Sequence, residues 1–316
     1  MAHTDTSHTA VWLLLLDCFP LPSPDSAVAP ASDHPEWNPC DDLDAQAICF
    51  EQFYSQNLIS HCSVTDYLGG AEAFQVFLNR LQAAGKGFHH TTLEAKLTTL
   101  TTHESGLLVL TASGCESAET LAAVLQQFRF LRTQHPKTLP PPALVITSLK
   151  GISRSLPKHF DCPCAESEIR VPLWILSDQL QSARIQLLCG SHDLLPTIAD
   201  LLTLPTDPES TDSLSAAQNT AQTPNSPCSL IQLSRMHPDS MQRILTIHGN
   251  DWMGLRTQHY FLVQTSTSQT ESPESQNCRL YQKPDDYWNV NNCLSACQEI
   301  ADAMLLAAGH NPGSPH

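Results

Sequence analysis

Residues Ala10-Val-Trp-Leu-Leu-Leu-Leu16 form an uninterrupted apolar run that stops at Asp17. The run is too short to cross a bilayer as a helix and too uniformly apolar for a strand with one face in water. It predicts a central strand of a parallel sheet, covered on both faces, with a polar residue at its carboxyl end. Open α/β sheets bind ligands at that end. An export signal is the competing reading, since Ala27-Val-Ala29 resembles a cleavage site. No Lys or Arg precedes the run, however, and Pro30 would follow the cut, so the strand is preferred.

The same kind of run recurs, separated by segments of helical period. A Pro-rich loop at 19–39 leads to a short helix over 41–48 with Asp41, Asp42 and Asp44 in its first turn. A second helix is predicted over 71–84, where Ala73, Phe74, Phe77, Leu78, Leu81 and Ala84 share one face and Gly85 stops the chain. Leu107–Leu110, 143–147 and Leu173–Leu176 read as further buried strands. Ala118–Gln134 reads as a long helix. His192-Asp193 opens a helix through Leu202, with Pro196 in its first turn, where a missing N–H costs nothing. Strands alternating with helices over two hundred residues predict a doubly wound, mostly parallel sheet.

Residues 204–228 are rich in Pro, Thr, Ser, Asp and Gln and poor in large apolar side chains, the composition of a solvated linker. It divides the chain into an α/β domain over 1–203 and a small C-terminal unit over 229–316. That unit shows short apolar stretches at 230–233, 244–247, 255–263 and 279–281, then an Ala/Leu-rich helix over 294–308. A small antiparallel sheet with one covering helix is expected, with a polar hairpin loop at 265–277.

The 316 residues carry a formal charge of −16, which argues against nucleic acid or an anionic membrane as partner. Twelve cysteines scattered without a repeated spacing read as reduced thiols of a cytoplasmic protein rather than a disulfide framework. Cys162-Pro-Cys164 with His159, and Cys293 with Cys297, lack the paired Cys-x-x-Cys spacing of a zinc site.

Several segments, in order, resemble landmarks of the sulfatase family within the alkaline phosphatase superfamily. They are Asp41-Asp-Leu-Asp-Ala-Gln-Ala-Ile-Cys-Phe50 with Phe53-Tyr-Ser-Gln56, Glu166-Ser-Glu-Ile-Arg-Val-Pro172 and Ser191-His-Asp-Leu-Leu-Pro-Thr197. Leu255-Arg-Thr257, Leu280-Tyr281 and Asn291-Asn292 complete the set. The resemblance implies an α/β, alkaline phosphatase-like doubly wound sheet flanked by helices, with a small C-terminal antiparallel sheet plus helix. It also implies sulfate-ester hydrolysis by a formylglycine made from Cys or Ser, with Ca²⁺ or Mg²⁺ held by oxygen ligands.

Few of the residues that this chemistry needs are present. Asp17 matches the first metal-ligand position, and it serves equally well as a turn cap. Its neighbour is Cys18, and the position of a later Asp-His ligand pair holds Leu149-Lys150. Leucine has no lone pair and an ammonium repels a cation, so the ligand set for Ca²⁺ or Mg²⁺ is incomplete. The nucleophile position falls on Ser60 in one register and on Cys62 in another, and neither register keeps the Pro and Arg of the maturation motif. His192, Lys86, His89 and Arg170 are the other candidates for catalysis or anion binding, each with a plain structural alternative.

Two functions are therefore expected to compete. One is a non-catalytic, sulfatase-like binding or regulatory protein in which Lys150 pairs with Asp17 in place of the cation. The alternative is an active sulfuric- or phosphoric-ester hydrolase with an unconventional site around Asp17, Ser60 and Cys62. An anionic ester is the expected ligand class in both.

Overall fold

The structure, a computed structural model, describes residues 8–19, 41–59, 62–93, 106–113, 115, 118–133, 140–151, 162–205, 226–235, 243–265, 278–286 and 289–309. Strand β1 (Ala10–Leu16) runs through the middle of a seven-stranded sheet and is buried along its whole length. Its side chains alternate. Val11, Leu13 and Leu15 enter one apolar core with the helix Ala71–Ala83 and the helix Leu194–Leu201. Trp12, Leu14 and Leu16 enter a second core against the helix Ala118–Thr133. A run apolar at every position is what a strand with a helix layer on each face requires.

The other strands of this sheet are β2 (Ile48–Phe50), β4 (Gly87–Thr92), β5 (Gly106–Ala112), β6 (Ala143–Ser148), β7 (Leu173–Leu176) and β8 (Ala183–Ile185), and β3 (Phe53–Tyr54) pairs with β9 (Cys189–Gly190) outside it. The order is β4-β5-β1-β6-β7-β2-β8. The first four are parallel to one another, and β7 runs antiparallel to both of its neighbours. A second sheet, β10 (Leu245–His248), β11 (Trp252–Arg256), β12 (Tyr260–Thr265) and β13 (Cys278–Gln282), is antiparallel throughout. One of its faces packs Leu245, Ile247, Phe261, Val263 and Tyr281 against Tyr54, Ile169 and Leu188 of the larger unit. The other packs Leu255, Leu262 and Leu280 against Ala301 and Met304 of the helix Gln298–Ala307. The expected architecture is present.

Local differences from the sequence reading have physical causes. The helix expected over 41–48 ends at Gln46, and Ile48 begins β2 instead, because Ile48-Cys-Phe50 is wanted between β7 and β8. Leu230–Leu233 is a single helical turn rather than a strand. Its apolar residues join the core of the larger unit, and Leu230 N donates to Thr197 Oγ1 at 2.9 Å. Four apolar residues do not distinguish the two periods. Residues 255–263 divide into two strands around a turn at 257–259, closed by Tyr260 N donating to Thr257 Oγ1. Edge strand β4 escaped notice because Gly-Phe-His-His-Thr-Thr has no apolar run. Gly106, at φ +122°, pairs with Gly87 so closely that an added Cβ would strike the Gly87 backbone. Most of the expected linker and hairpin loop, 206–225 and 266–277, lies outside the described residues.

Candidate functional site

The carboxyl ends of β1 and β6 meet as the sequence register requires. Leu149 N donates to Leu16 O at 2.8 Å, Phe19 N to Lys150 O at 3.1 Å, and Phe19 bridges to Gly151. Asp17 and Cys18 therefore lie beside Leu149 and Lys150, at the edge where a parallel sheet presents its ligand site. Asp17 Oδ1 accepts the backbone N–H of Cys18 at 2.8 Å and that of Cys115, beyond β5, at 3.2 Å. This carboxylate staples the strand-end loops together.

The segment of the candidate nucleophile is held over the same edge. Tyr67, fully buried, donates from its hydroxyl to Ser148 O at 2.8 Å, tying the turn Val64–Tyr67 to the end of β6. Ser63 caps that turn reciprocally with Asp66: Asp66 N donates to Ser63 Oγ and Ser63 N to Asp66 Oδ2, both at 3.1 Å. Cys62 is half-buried, and its Sγ donates to Ser63 O at 3.4 Å. Burial, with Asp66 nearby, pushes its thiol up to about 11, so almost none is thiolate at neutral pH. Ser60 lies outside the described residues.

His192 joins this group. Its ring lies against Gly69, where an added Cβ would stand 4.0 Å from His192 Cδ2, and the backbone N–H of His192 donates to Gln56 Oε1 at 3.2 Å. Burial pushes the imidazole pKa down; Asp193 pulls it partly back and His248 adds to the fall, leaving a neutral ring at pH 7. Asp17 and the Cys62 segment thus meet the same strand-end edge, and His192 packs against Gly69, just beyond the turn Val64–Tyr67.

Other candidates stand elsewhere. Lys150 is exposed. Its backbone follows β6 to the site, but its side chain turns to solvent. Lys86 precedes β4 and donates to Thr9 O at 3.3 Å, which fixes it at the amino end of the sheet. From Thr9 to Asp17 the chain covers roughly 25 Å at about 3.3 Å per residue. His89 lies within β4, beside Leu108 of β5, also away from the strand ends. Arg170 spends its Nε on Glu51 O at 2.7 Å and serves the loop after β2.

Among the described residues, no group of three or more His, Cys, Asp or Glu side chains is placed to hold a metal ion. The donor set agrees. Asp17 has an oxygen committed to two backbone N–H groups, Leu149 offers no donor atom, and Lys150 brings positive charge. A hard divalent cation needs about six oxygen ligands, so these residues do not fit one.

The landmark segments do carry chemistry of another kind, which sequence reasoning missed. Asp193, at the start of the helix Leu194–Leu201, is buried and paired with buried Arg243 through both oxygens, at 2.9 and 2.8 Å. It also accepts Gly190 N and Cys228 N, each at 2.9 Å. Glu166 is buried between the two sheets: Tyr54 Oη donates to its Oε1 at 2.6 Å, Arg256 Nη2 lies 3.4 Å from Oε1 and Lys283 Nζ 3.2 Å from Oε2. Burial pushes this carboxyl up, but Arg256, Lys283 and the Tyr54 hydroxyl outweigh it and hold it below its usual range. The partners lie 50 to 117 residues away from their carboxylates in sequence, beyond the reach of any local pattern.

This arrangement of a mixed, mostly parallel sheet with an antiparallel sheet docked on it is the fold of the alkaline phosphatase superfamily, and of its sulfatases in particular. A protein solved in complex with its substrate D-glucosamine-2-N,6-O-disulfate superposes with a TM-score of 0.66 at 10% identity, over 96% of this chain and 97% of that one. A 2-O GAG sulfatase does so at 0.56 and 10%, over 96% and 90%. An alkaline phosphatase superfamily protein from Vibrio parahaemolyticus gives 0.55 and 10%, over 94% and 88%. No protein-family model and no curated protein sequence matches the chain.

Proposed function

We propose that this is a sulfatase-like protein that does not perform metal-assisted ester hydrolysis and acts as a non-catalytic binding or regulatory relative of those enzymes. The observation that carries this reading is the flanking of Asp17 by Leu149 and Lys150 at the strand ends. Sulfuryl and phosphoryl transfer depend on fixed positive charge around the leaving oxygens and on an activated nucleophile. The Cys62 thiol, pushed up to about 11, is a poor candidate for the second requirement.

An anionic ester is the ligand class we assign, supported by the sulfated sugar bound in the first of the structural neighbours. A reducing, cytoplasmic setting belongs to the same proposal, supported by twelve cysteines scattered along the chain without a repeated spacing. No helix among the described residues is long and apolar enough to cross a membrane.

Melting curves with and without Ca²⁺ or Mg²⁺ test the proposal, because an ion that binds only the folded state raises the melting temperature. The expected result is no shift. A shift abolished by Asp17→Ala would restore the metal enzyme, and turnover of an aryl sulfate that dies with Cys62→Ala would establish the alternative hydrolase.

A further inference from the structure

Cys162-Pro-Cys164 has no part in the site above, yet it occupies the junction of the two sheets in an unusual polar setting. Cys162 is 6% exposed and Cys164 1%. Asn289 Nδ2 donates to Cys162 Sγ at 3.4 Å and to Cys164 O at 3.0 Å. Tyr281, Cys162 and Cys164 belong to one buried cluster between the sheets. Asn289 is itself held in place, its Oδ1 accepting from Lys283 Nζ. A side-chain amide donating to a buried sulfur favours the thiolate.

We infer that Cys162 and Cys164 form a redox-active dithiol that reacts with hydroperoxides, Cys162 attacking and Cys164 resolving. The Cys162 thiolate attacks one peroxide oxygen; the O–O bond breaks, Cys162 becomes a sulfenic acid, and the other oxygen leaves as alcohol with the proton the thiol gave up. Cys164 then attacks the Cys162 sulfur. The S–S bond forms, the S–O bond breaks, and hydroxide leaves as water with the proton of Cys164. Two thiols lose two electrons, and the hydroperoxide is reduced to alcohol and water. With hydrogen peroxide both products are water, and an oxidant of that size suits a sulfur exposed by only a few per cent.

The two thiols are pushed in opposite directions. Donation from Cys164 outweighs burial and holds Cys162 below the ordinary thiol range, while burial raises Cys164 well above it. Burial also raises Cys49 and Cys62 to about 11 and Cys115 to about 12. Selectivity for Cys162 follows, because the thiolate is the reacting species.

The test is peroxide treatment of the full chain, then alkylation of the unfolded protein and peptide mass spectrometry. The expected result is a Cys162–Cys164 disulfide, reversed by dithiothreitol, at doses that leave Cys278, Cys293 and Cys297 reduced. Cys164→Ser should accumulate a dimedone-reactive sulfenic acid at Cys162. Asn289→Ala should slow oxidation roughly threefold, because the thiolate loses its side-chain amide donor and the higher nucleophilicity returns only part of the loss. The Cys164→Ser trap decides the matter if Asn289→Ala does not fold. Both thiols remaining alkylatable, or Cys293 and Cys297 reacting first, or no adduct in Cys164→Ser, would overturn the inference.

Discussion

Replacing Asp193 by alanine isolates what the Ser191–Thr197 landmark does in this molecule. The Asp193 carboxylate is 1% exposed and the Arg243 guanidinium 7%, and they meet through two parallel hydrogen bonds. Removing one member of such a pair leaves the other charge buried without a partner, at a cost of about 3–5 kcal/mol. Gly190 N–H and Cys228 N–H lose their acceptor as well. Each is worth about 1–3 kcal/mol if it stays dry, and less if water enters the space left by the carboxylate. The terms are not additive, and a total of roughly 4–6 kcal/mol is expected, a large fraction of the 5–15 kcal/mol that holds a typical domain together.

Urea denaturation followed by far-ultraviolet circular dichroism measures the loss. The double variant Asp193→Ala with Arg243→Met is the decisive companion, since it removes both charges and should be more stable than Asp193→Ala alone. A single-variant loss below about 1.5 kcal/mol, or a double variant no better than the single, would refute the assignment of this pair as a buried, mutually dependent unit.

At the junction of the sheets, Glu166→Gln keeps the shape but leaves Arg256 and Lys283 buried without their counter-charge, and should lower stability by about 3–5 kcal/mol, read as a fall in urea midpoint. Tyr67→Phe removes the bond to Ser148 O and should cost about 1–2 kcal/mol, with faster amide exchange over Cys62–Leu68 by mass spectrometry as the local sign. The pH dependence should carry a histidine component from His8, which is buried with its Nε2 2.7 Å from Ser177 Oγ. Burial pushes its pKa below 6.5, with the Pro141 carbonyl and Asp178 opposing and Arg132 assisting. The unfolded chain therefore binds the proton more readily: this contribution is complete above pH 6.5 and is lost as the pH falls through the window below it. At pH 5.5 the loss is at most about 1.4 kcal/mol, and His8→Gln should flatten that part of the stability profile.

What the sequence made legible, and what it hid, divide along the range of the signal. β1 and the helices Ala71–Ala83 and Ala118–Thr133 carry enough apolar periodicity to be read alone. Ile48–Phe50 and Leu230–Leu233 are too short, and their state is set by what they pack against. The hairpin at 255–263 turns on Thr257-Gln258-His259, without the Gly, Asn or Pro that would mark it. For the site, the ordered landmarks name Asp17, Cys18, Leu149 and Lys150, which follow the neighbouring strands β1 and β6 and so share an edge. They gave no sign that Lys86 lies before β4, at the end of the sheet where it donates to Thr9 O, because sequence order does not say that a residue before a parallel strand lies at the opposite end from one after it.

The landmarks that remain recognisable and those that do not differ in what their loss would cost. Asp193 and Glu166 each neutralise cations buried in the same unit, so removing either exposes the fold to several kcal/mol of unpaired charge. A cluster of carboxylates built to hold a cation behaves oppositely: without the ion its members repel, and replacing one by a cysteine or leucine relieves that strain. On the proposed reading, once hydrolysis no longer matters, Cys18 and Leu149 are the replacements stability alone would favour at the ends of β1 and β6. The paired buried charges between the elements would still be held by the fold.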